Sequence, residues 1–421
     1  MGAVGILVLL LIAWAVSSDR RAALNWRILL WGLLLPLVIA VIALRTPVGA
    51  RFFIWVNAVA DAFIGFTEEG TAFVFGRWPA VTVVAEPQPG GTGTQPVVVG
   101  FVFVIKVLPI LIFLSSVTTM LYYLGILQAI VAGLARLLSR VMGISGAEAL
   151  STVGDVFLGM TEAPLLVRPY VARMTESELF TLMTAGMATI AGTVLVAYTA
   201  MGIDAGFLVT ASFMSAPAAV MFAKIMVPET GTPETLGSGT QARVQIPRPD
   251  ANLIDAAARG ASEGLHLALN VGAMLLAFVA LVHMADRGVG ALAGLFGHPE
   301  VRLQTVLGWP LAPLAYLMGV PWSEAPFVGG LLGTKTVLNE FLAYRELAAK
   351  MANLSPKTVR IASFALCGFA NFGSLAIVLG GLGSMVPERR PDLARLGMRS
   401  ILAGGLVTCF TGALAGLIGP P

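Results

Sequence analysis

Apolar residues run along this chain in long blocks: Gly2–Ser17, Ile28–Leu44, Val97–Leu124, Leu179–Met201, Gly206–Met226, Leu265–Met284, Ile361–Val386 and Ile401–Ile418. Most reach the roughly 17–25 residues that a helix needs to cross about 30 Å of hydrocarbon. None alternates like a barrel strand, and lipid tolerates no unpaired backbone, so the blocks predict transmembrane helices. Val227–Asn252, rich in Pro, Gly, Thr and Gln, predicts a flexible linker. Ala50–Gly65, with Arg51, Asn57 and Asp61 among apolar residues, predicts an interfacial amphipathic helix. Trp26, Trp31 and Trp55 fall near block ends, where interfacial anchors sit.

Composition agrees with the pattern. The 421 residues are 57% hydrophobic and 12% charged, about half the charge of a soluble domain. Gly2–Ser17 has no basic stretch ahead of it, and Asp19, Arg20 and Arg21 follow directly, so it predicts a retained first helix rather than a signal peptide. Cys367 and Cys409 lie inside apolar blocks and give neither a disulfide framework nor a metal spacing. His266, His283 and His298 share no ligand spacing. The net charge of +3 is scattered over loops, which is no nucleic-acid footprint. Basic residues favour one alternate set of loops: Arg20, Arg21 and Arg27; Arg136 and Arg140; Arg168 and Arg173; Lys224, Arg243, Arg248 and Arg259; Arg389, Arg390, Arg395 and Arg399. The positive-inside rule puts that set in the cytoplasm and both termini in the periplasm of a bacterial inner membrane.

Two apolar segments are broken in the middle. In Gly143–Tyr170, Ser145 and Glu148 form a capping box that opens a helix through Asp155 to Leu158. Gly159-Met160-Thr161-Glu162-Ala163-Pro164 interrupts it, and Thr175 with Glu178 caps the next helix. Two half-helices around a polar turn predict a re-entrant hairpin, buried in protein or lining a cavity. The second segment, Trp309–Leu347, holds Pro310, Pro313, Pro321, Pro326, Gly329, Gly330 and Gly333. Its centre, Ser323-Glu324-Ala325-Pro326, echoes Thr161-Glu162-Ala163-Pro164. Gly186-Met187-Ala188-Thr189 and Gly368-Phe369-Ala370-Asn371 echo one another further on. Echoes in the same order predict an internal repeat, and paired broken segments point to a midplane solute site. The runs Gly186–Thr193 and Gly368–Ser374 fit either close helix packing or local unwinding that frees carbonyls.

Acids inside a bilayer are expensive, about 2.5–3.5 kcal/mol each on the lenient insertion scale. Asp155, Glu162, Glu324 and Glu340 are such acids. Glu324 pairs with Lys335 or serves the site; Glu162 and Glu340, the latter beside Asn339, suit an uncharged polyhydroxylated solute because each carboxylate accepts two hydroxyls. Lys106 reads as a snorkelling or structural residue. An intramembrane enzyme would need a base or metal beside Cys367 or Ser374, and no histidine falls at their depth. Opposed hairpins suit alternating access better than an open channel.

Several stretches resemble the signatures of the concentrative nucleoside transporters: Gly159–Pro164, Asn339-Glu340-Phe341 and Cys367-Gly368-Phe369-Ala370-Asn371. Ala211-Ser212-Phe213-Met214 and Gly380-Gly381-Leu382-Gly383-Ser384 extend the similarity along essentially the whole chain. The resemblance implies an all-α polytopic membrane protein with eight transmembrane helices, two opposed re-entrant hairpins and an inverted repeat. It further implies a homotrimer in the bilayer working as an elevator. The division becomes 1–125 for the N-terminal scaffold with the interfacial helix, 126–226 for the first transport repeat and 227–252 for a cytoplasmic linker. A scaffold helix follows over 253–300, then the second repeat over 301–386 and a C-terminal helix over 387–421.

By position, the resemblance puts Met160, Thr161, Glu162 and Val194 at the nucleobase, and Glu340, Phe369, Asn371 and Ser374 at the ribose. A sodium site falls on Asp155, Leu158, Thr189 and Ile190, with Leu158 and Ile190 giving carbonyls only. The implied function is import of nucleosides by cation symport with no cofactor; a carrier of another polar solute, such as a modified nucleoside or nucleobase, is the alternative. Two departures matter. Met160 stands where the family has glutamine, which removes a group that would read the base edge. Asp155 stands where the family has asparagine; a carboxylate can strengthen sodium binding or carry a proton, and both ions stay open.

Overall fold

The computed structural model describes residues 1–76, 82–87, 94–99, 102–237, 250–298 and 301–420, the second and third of these as backbone only. Helices α1 (Gly2–Ala15), α2 (Trp26–Arg45) and α3 (Pro47–Phe75) open the chain. Asn25 caps α2, its Oδ1 accepting from the backbone of Arg27 at 3.1 Å. A two-stranded antiparallel hairpin, β1 (Thr82–Pro87) with β2 (Thr94–Val99), follows and is the one addition to the helical expectation. The chain continues with α4 (Phe103–Lys106), α5 (Leu108–Tyr123), α6 (Ile126–Met142), α7 (Gly146–Phe157), a 3₁₀ turn Ala163–Val167, α8 (Arg168–Val171), α9 (Glu176–Ala188), α10 (Gly192–Thr199) and α11 (Ala205–Met226). The second half holds α12 (Leu253–Gly294), α13 (Leu303–Leu317), α14 (Ala325–Val337), α15 (Glu340–Lys350), α16 (Pro356–Leu366), α17 (Phe372–Met385) and α18 (Arg390–Ile418). Seven helical segments among the described residues are long and apolar enough to cross a membrane; α1 and α17 are shorter apolar helices.

One series of elements runs twice. One helix (α5 or α12) is followed by a second (α6 or α13), then by two half-helices around a break: α7 and the turn at Ala163, or α14 and α15. A helix broken in its middle comes next, α9/α10 or α16/α17, and an unbroken one ends the series, α11 or α18. The second break therefore lies at Leu338-Asn339, not at Ser323–Pro326. Pro310 and Pro313 sit inside α13, and Pro326 sits in the first turn of α14, where a missing N–H costs nothing. Proline density mistook a helix pair for the hairpin centre. The true break has neither proline nor glycine; Asn339 makes it, its Oδ1 accepting from Leu342 N at 3.0 Å to start α15.

Other expectations shift too. Ala50–Gly65 belongs to the continuous 29-residue α3. The amphipathic pattern is on α6, which buries Leu127, Val131, Ala135, Leu138 and Met142 and exposes Arg136 and Arg140. Asp155 does sit in α7, but the capping box at its start is half made. Ser145 Oγ accepts from Glu148 N at 3.2 Å, while the Glu148 carboxylate turns to Lys224 Nζ at 2.8 Å. Thr175 and Glu178 do close a full box on α9. Part of the linker is docked: Gly146 N donates to Thr235 O at 3.2 Å, and Glu229 Oε2 meets Lys224 at 3.1 Å. Its residues 238–249, with Arg243 and Arg248, lie outside the described residues.

Glycine brings α12 onto α5. Ala256, Gly260, Gly264 and Ala268 recur every fourth residue and are the buried positions of α12. A Cβ on Gly260 would lie 2.6 Å from Thr119 Oγ1, and one on Gly264 would lie 2.7 Å from Ile112 Cα. Small residues let two backbones approach where lipid offers no hydrophobic drive. The rest of α12 is left apolar and open, with Leu269, Leu276 and Leu292 exposed.

Candidate functional site

The two broken helices meet at their breaks. The first opens at Thr189-Ile190-Ala191 and the second over Cys367–Asn371. A Cβ on Gly368 would lie 2.9 Å from Met187 O and 3.0 Å from Ala188 C, so glycine is what lets the two backbone segments approach this closely. The tip of the first hairpin comes to the same place. Gly159 adopts φ +99°, and a Cβ there would lie 2.9 Å from Ala191 Cβ and 3.3 Å from Glu162 Oε2. A Cβ on Gly381 of α17 would lie 4.0 Å from Thr161 Cγ2. The small residues therefore serve close packing at the very places where the helices unwind, and the structure gathers hairpin tip and both breaks in one region.

Around the first break, oxygen atoms lack partners. Asp155 is buried, and both its carboxylate oxygens have no hydrogen-bond partner among the described residues. Thr189 Oγ1 donates to Ala185 O at 2.9 Å, which spends its proton and leaves its lone pairs free. No described backbone N–H donates to the carbonyls of Leu158 or Ile190. Met160 lies against the same helix: a Cβ on Gly186 would be 2.9 Å from Met160 Cβ and 3.7 Å from Asp155 Oδ1. A buried carboxylate without a countercharge is costly, and the group calls for a cation or a proton.

The second break is the opposite case. Glu340, the first residue of α15, is buried. Its Oε2 accepts from Asn371 Nδ2 at 2.9 Å, and its Oε1 accepts from Tyr198 OH at 2.9 Å. Asn371 in turn caps α17, its Oδ1 accepting from Ser374 N at 2.7 Å. Phe369 is nearly buried in the break, and Val194 is buried one turn into α10. Glu162 is exposed at the hairpin tip, with Met160 and Thr161 half-buried. Beside this region, an apolar cleft of about 850 Å³ opens between Leu275 and Leu276 of α12, Ala200 and Met201, and Phe341 and Arg345 of α15.

Three charged residues fall outside that centre. Glu324 does not pair with Lys335: it accepts from Ser355 N at 3.0 Å and Ser355 Oγ at 2.9 Å, tying α14 to the start of α16. Lys335 is buried and donates to Ala365 O at 2.9 Å and Thr408 Oγ1 at 2.8 Å. Lys106 forms an ion pair with Glu68 at 2.7 Å. Sequence reasoning missed Tyr198 altogether, and its one signal was a lone hydroxyl-bearing aromatic in an apolar block.

Comparisons with known proteins agree along the whole chain. Family models described as Na+ dependent nucleoside transporter N-terminus, nucleoside recognition gate and Na+ dependent nucleoside transporter C-terminus match residues 4–78, 104–205 and 207–416. Nucleoside permease NupC of Helicobacter pylori is 39% identical over 98% of this chain and 96% of its own. An uncharacterized transporter, YutK of Bacillus subtilis, is 40% identical over 99% and 98%. Sodium/nucleoside cotransporter 2 of rat is 37% identical over 99% of this chain and 62% of its own. Among solved structures, CNTnw in an inward-facing substrate-bound state superposes at TM-score 0.87, with 40% identity over 99% of this chain and 97% of that one. A single-substitution variant of CNTnw in an intermediate state gives TM-score 0.89, with 41% identity over 99% and 98%. The chain belongs to the Na+-dependent, concentrative nucleoside transporter family, whose members are elevator-type carriers rather than enzymes.

Proposed function

We propose that this transporter, a carrier that imports nucleosides coupled to a cation gradient, holds the ribose on Glu340, Asn371 and Ser374. Thr161, Glu162 and Met160 on the first hairpin face the base, with Val194 packed beside it and Phe369 close to the ribose. The observation that carries the reading is the Glu340 carboxylate, buried at the meeting of hairpin and broken helix with one neutral donor on each oxygen. A carboxylate has about four acceptor positions, so two remain for vicinal hydroxyls. The coupling ion sits on Asp155, Thr189 and the carbonyls of Leu158 and Ile190. Sodium is the first reading, because these are hard oxygens of mixed charge and two of them are backbone. A proton is the second, because the Asp155 oxygens have no protein donor at all.

The exposed apolar face of α12 supports a homotrimer built on that helix. The loop charges support a bacterial inner-membrane location with both termini periplasmic, although Lys224 now counts as a buried ion-pair partner rather than a loop charge. The test is uptake of uridine and adenosine into proteoliposomes under a sodium gradient and a proton gradient imposed separately. Sodium-driven uptake supports the first reading, and proton-driven uptake alone supports the second. Failure of both nucleosides under both gradients overturns the substrate assignment.

A further inference from the structure

We propose that Tyr198 is a positioning residue that sets this carrier's discrimination between ribose and deoxyribose. The proposal rests on Glu340 being the ribose acceptor. Tyr198 lies on α10, in the first half of the chain, and Glu340 lies on α15, in the second. Its hydroxyl donates to Glu340 Oε1 at 2.9 Å across that divide. The ring is fully buried and held on two sides. Phe341 meets it with centroids 4.7 Å apart at 63°, and Tyr344 meets it at 4.5 Å and 36°. Tyr344 is itself fixed by donating to Ser363 O at 2.8 Å. The phenol therefore has one place to point its proton.

A carboxylate at the end of a glutamate side chain turns freely about its last bond, because that torsion is broad. One donor, Asn371, would leave it free to rotate around the Oε2 bond. Two donors on two oxygens fix the carboxylate plane, and with it the directions of the unused lone pairs. A cis pair of sugar hydroxyls needs both directions at once; a single hydroxyl needs only one. Tyr198 is buried and makes no claim on the solute itself, so its effect passes through Glu340.

The bland alternative is a buried phenol that satisfies itself on the nearest acceptor. It would lower stability and affect every solute alike. Tyr198→Phe keeps the ring packing and deletes only the donor, so competitive uptake of uridine and its 2′-deoxy and 3′-deoxy analogues separates the two. The KM for uridine should rise about tenfold, as loss of a hydrogen bond to a charged group implies. The KM of at least one deoxy analogue should rise no more than about threefold, with maximal rates little changed. A preference ratio on one protein does not depend on how much of it folds, so poor assembly leaves the readout intact. Equal KM changes for all three nucleosides, or no change, would overturn the proposal. Glu340→Gln, run alongside, tells the two claims apart. Normal uridine uptake by that variant would sink the ribose reading itself, whereas lost uptake with an unmoved ratio in Tyr198→Phe would sink only the role of Tyr198.

Discussion

Asp155 and Glu340 are two buried carboxylates at the breaks of two matching hairpins, and their surroundings differ completely. Asp155 has neither oxygen bonded. Glu340 has a donor on each, supplied by elements of both halves of the chain. An acid whose oxygens are engaged by neutral donors is held in one geometry and can offer leftover lone pairs to a neutral hydroxylated solute. An acid with nothing around it cannot stay charged at low cost, so its stable state includes a positive partner from outside. On the proposed assignment, one repeat serves the solute and the other the ion, and the number of protein donors around each carboxylate is what separates the two roles.

The most severe way to break that contrast is to remove charge where donors are already present. Glu340→Gln puts an amide against the Tyr198 hydroxyl and the Asn371 amide, and offers a weaker acceptor to the sugar. Two charge-assisted bonds at about 1.5–3 kcal/mol each imply ribonucleoside uptake reduced about a hundredfold or more. Initial-rate uptake, normalised to the amount of assembled protein, checks it. A normal rate would mean that Glu340 only holds α15 to α17.

Glu148 sharpens the contrast from the same helix as Asp155. It lies two turns earlier, is as deeply buried, and has an ammonium partner, Lys224, at 2.8 Å. Lys224→Met would leave Glu148 uncompensated and cost about 3–5 kcal/mol of stability. Thermal melting in detergent reads it, and adding Glu148→Gln should recover much of the loss. Asp155, with no lysine to lose, should show the reverse: Asp155→Asn keeps the melting point or raises it. A large loss of stability there would mean a missed structural partner.

The functional cost of Asp155→Asn is the third test. It restores the family's neutral amide. If sodium is the ion, the concentration for half-maximal uptake should rise about tenfold, since a charged ligand becomes a dipole. If a proton is the ion, proton-driven uptake should vanish, because an amide cannot titrate. Unchanged coupling under both gradients would remove Asp155 from the ion path.

How far the chain could be read without coordinates depended on what kind of signal each feature leaves. The runs that hold the breaks at Thr189–Ala191 and Cys367–Asn371 were visible locally as small and hydroxyl residues in an apolar block, but fitted close packing as well as unwinding. Resemblance alone put Glu340 and Asn371 at one site, and the bond between them was not foreseen, since 31 residues separate the partners. The second hairpin was misplaced because proline and glycine are loud signals, although here they sit within helices or at a helix start. The real break is marked by Asn339, whose capping role is quiet in sequence. Tyr198 left almost no trace: its value comes from one hydroxyl reaching 142 residues along the chain, which no local pattern encodes.

Met160→Gln probes the smallest effect and joins the two sites. The side chain stands at the hairpin tip, one glycine away from Asp155: the space at Gly186 lies between Met160 Cβ and Asp155 Oδ1. Glutamine has nearly the same length as methionine and adds a donor and an acceptor. If the tip reads the base, one neutral hydrogen bond at about 0.5–1.5 kcal/mol should move the uridine-to-adenosine preference about two- to tenfold. The new amide could instead turn towards Asp155 and give that carboxylate its first protein donor. Base preference would then stay put while the cation dependence shifts. Measuring both on one preparation distinguishes the outcomes, and the second would show that methionine at this position keeps the ion site free of competing donors.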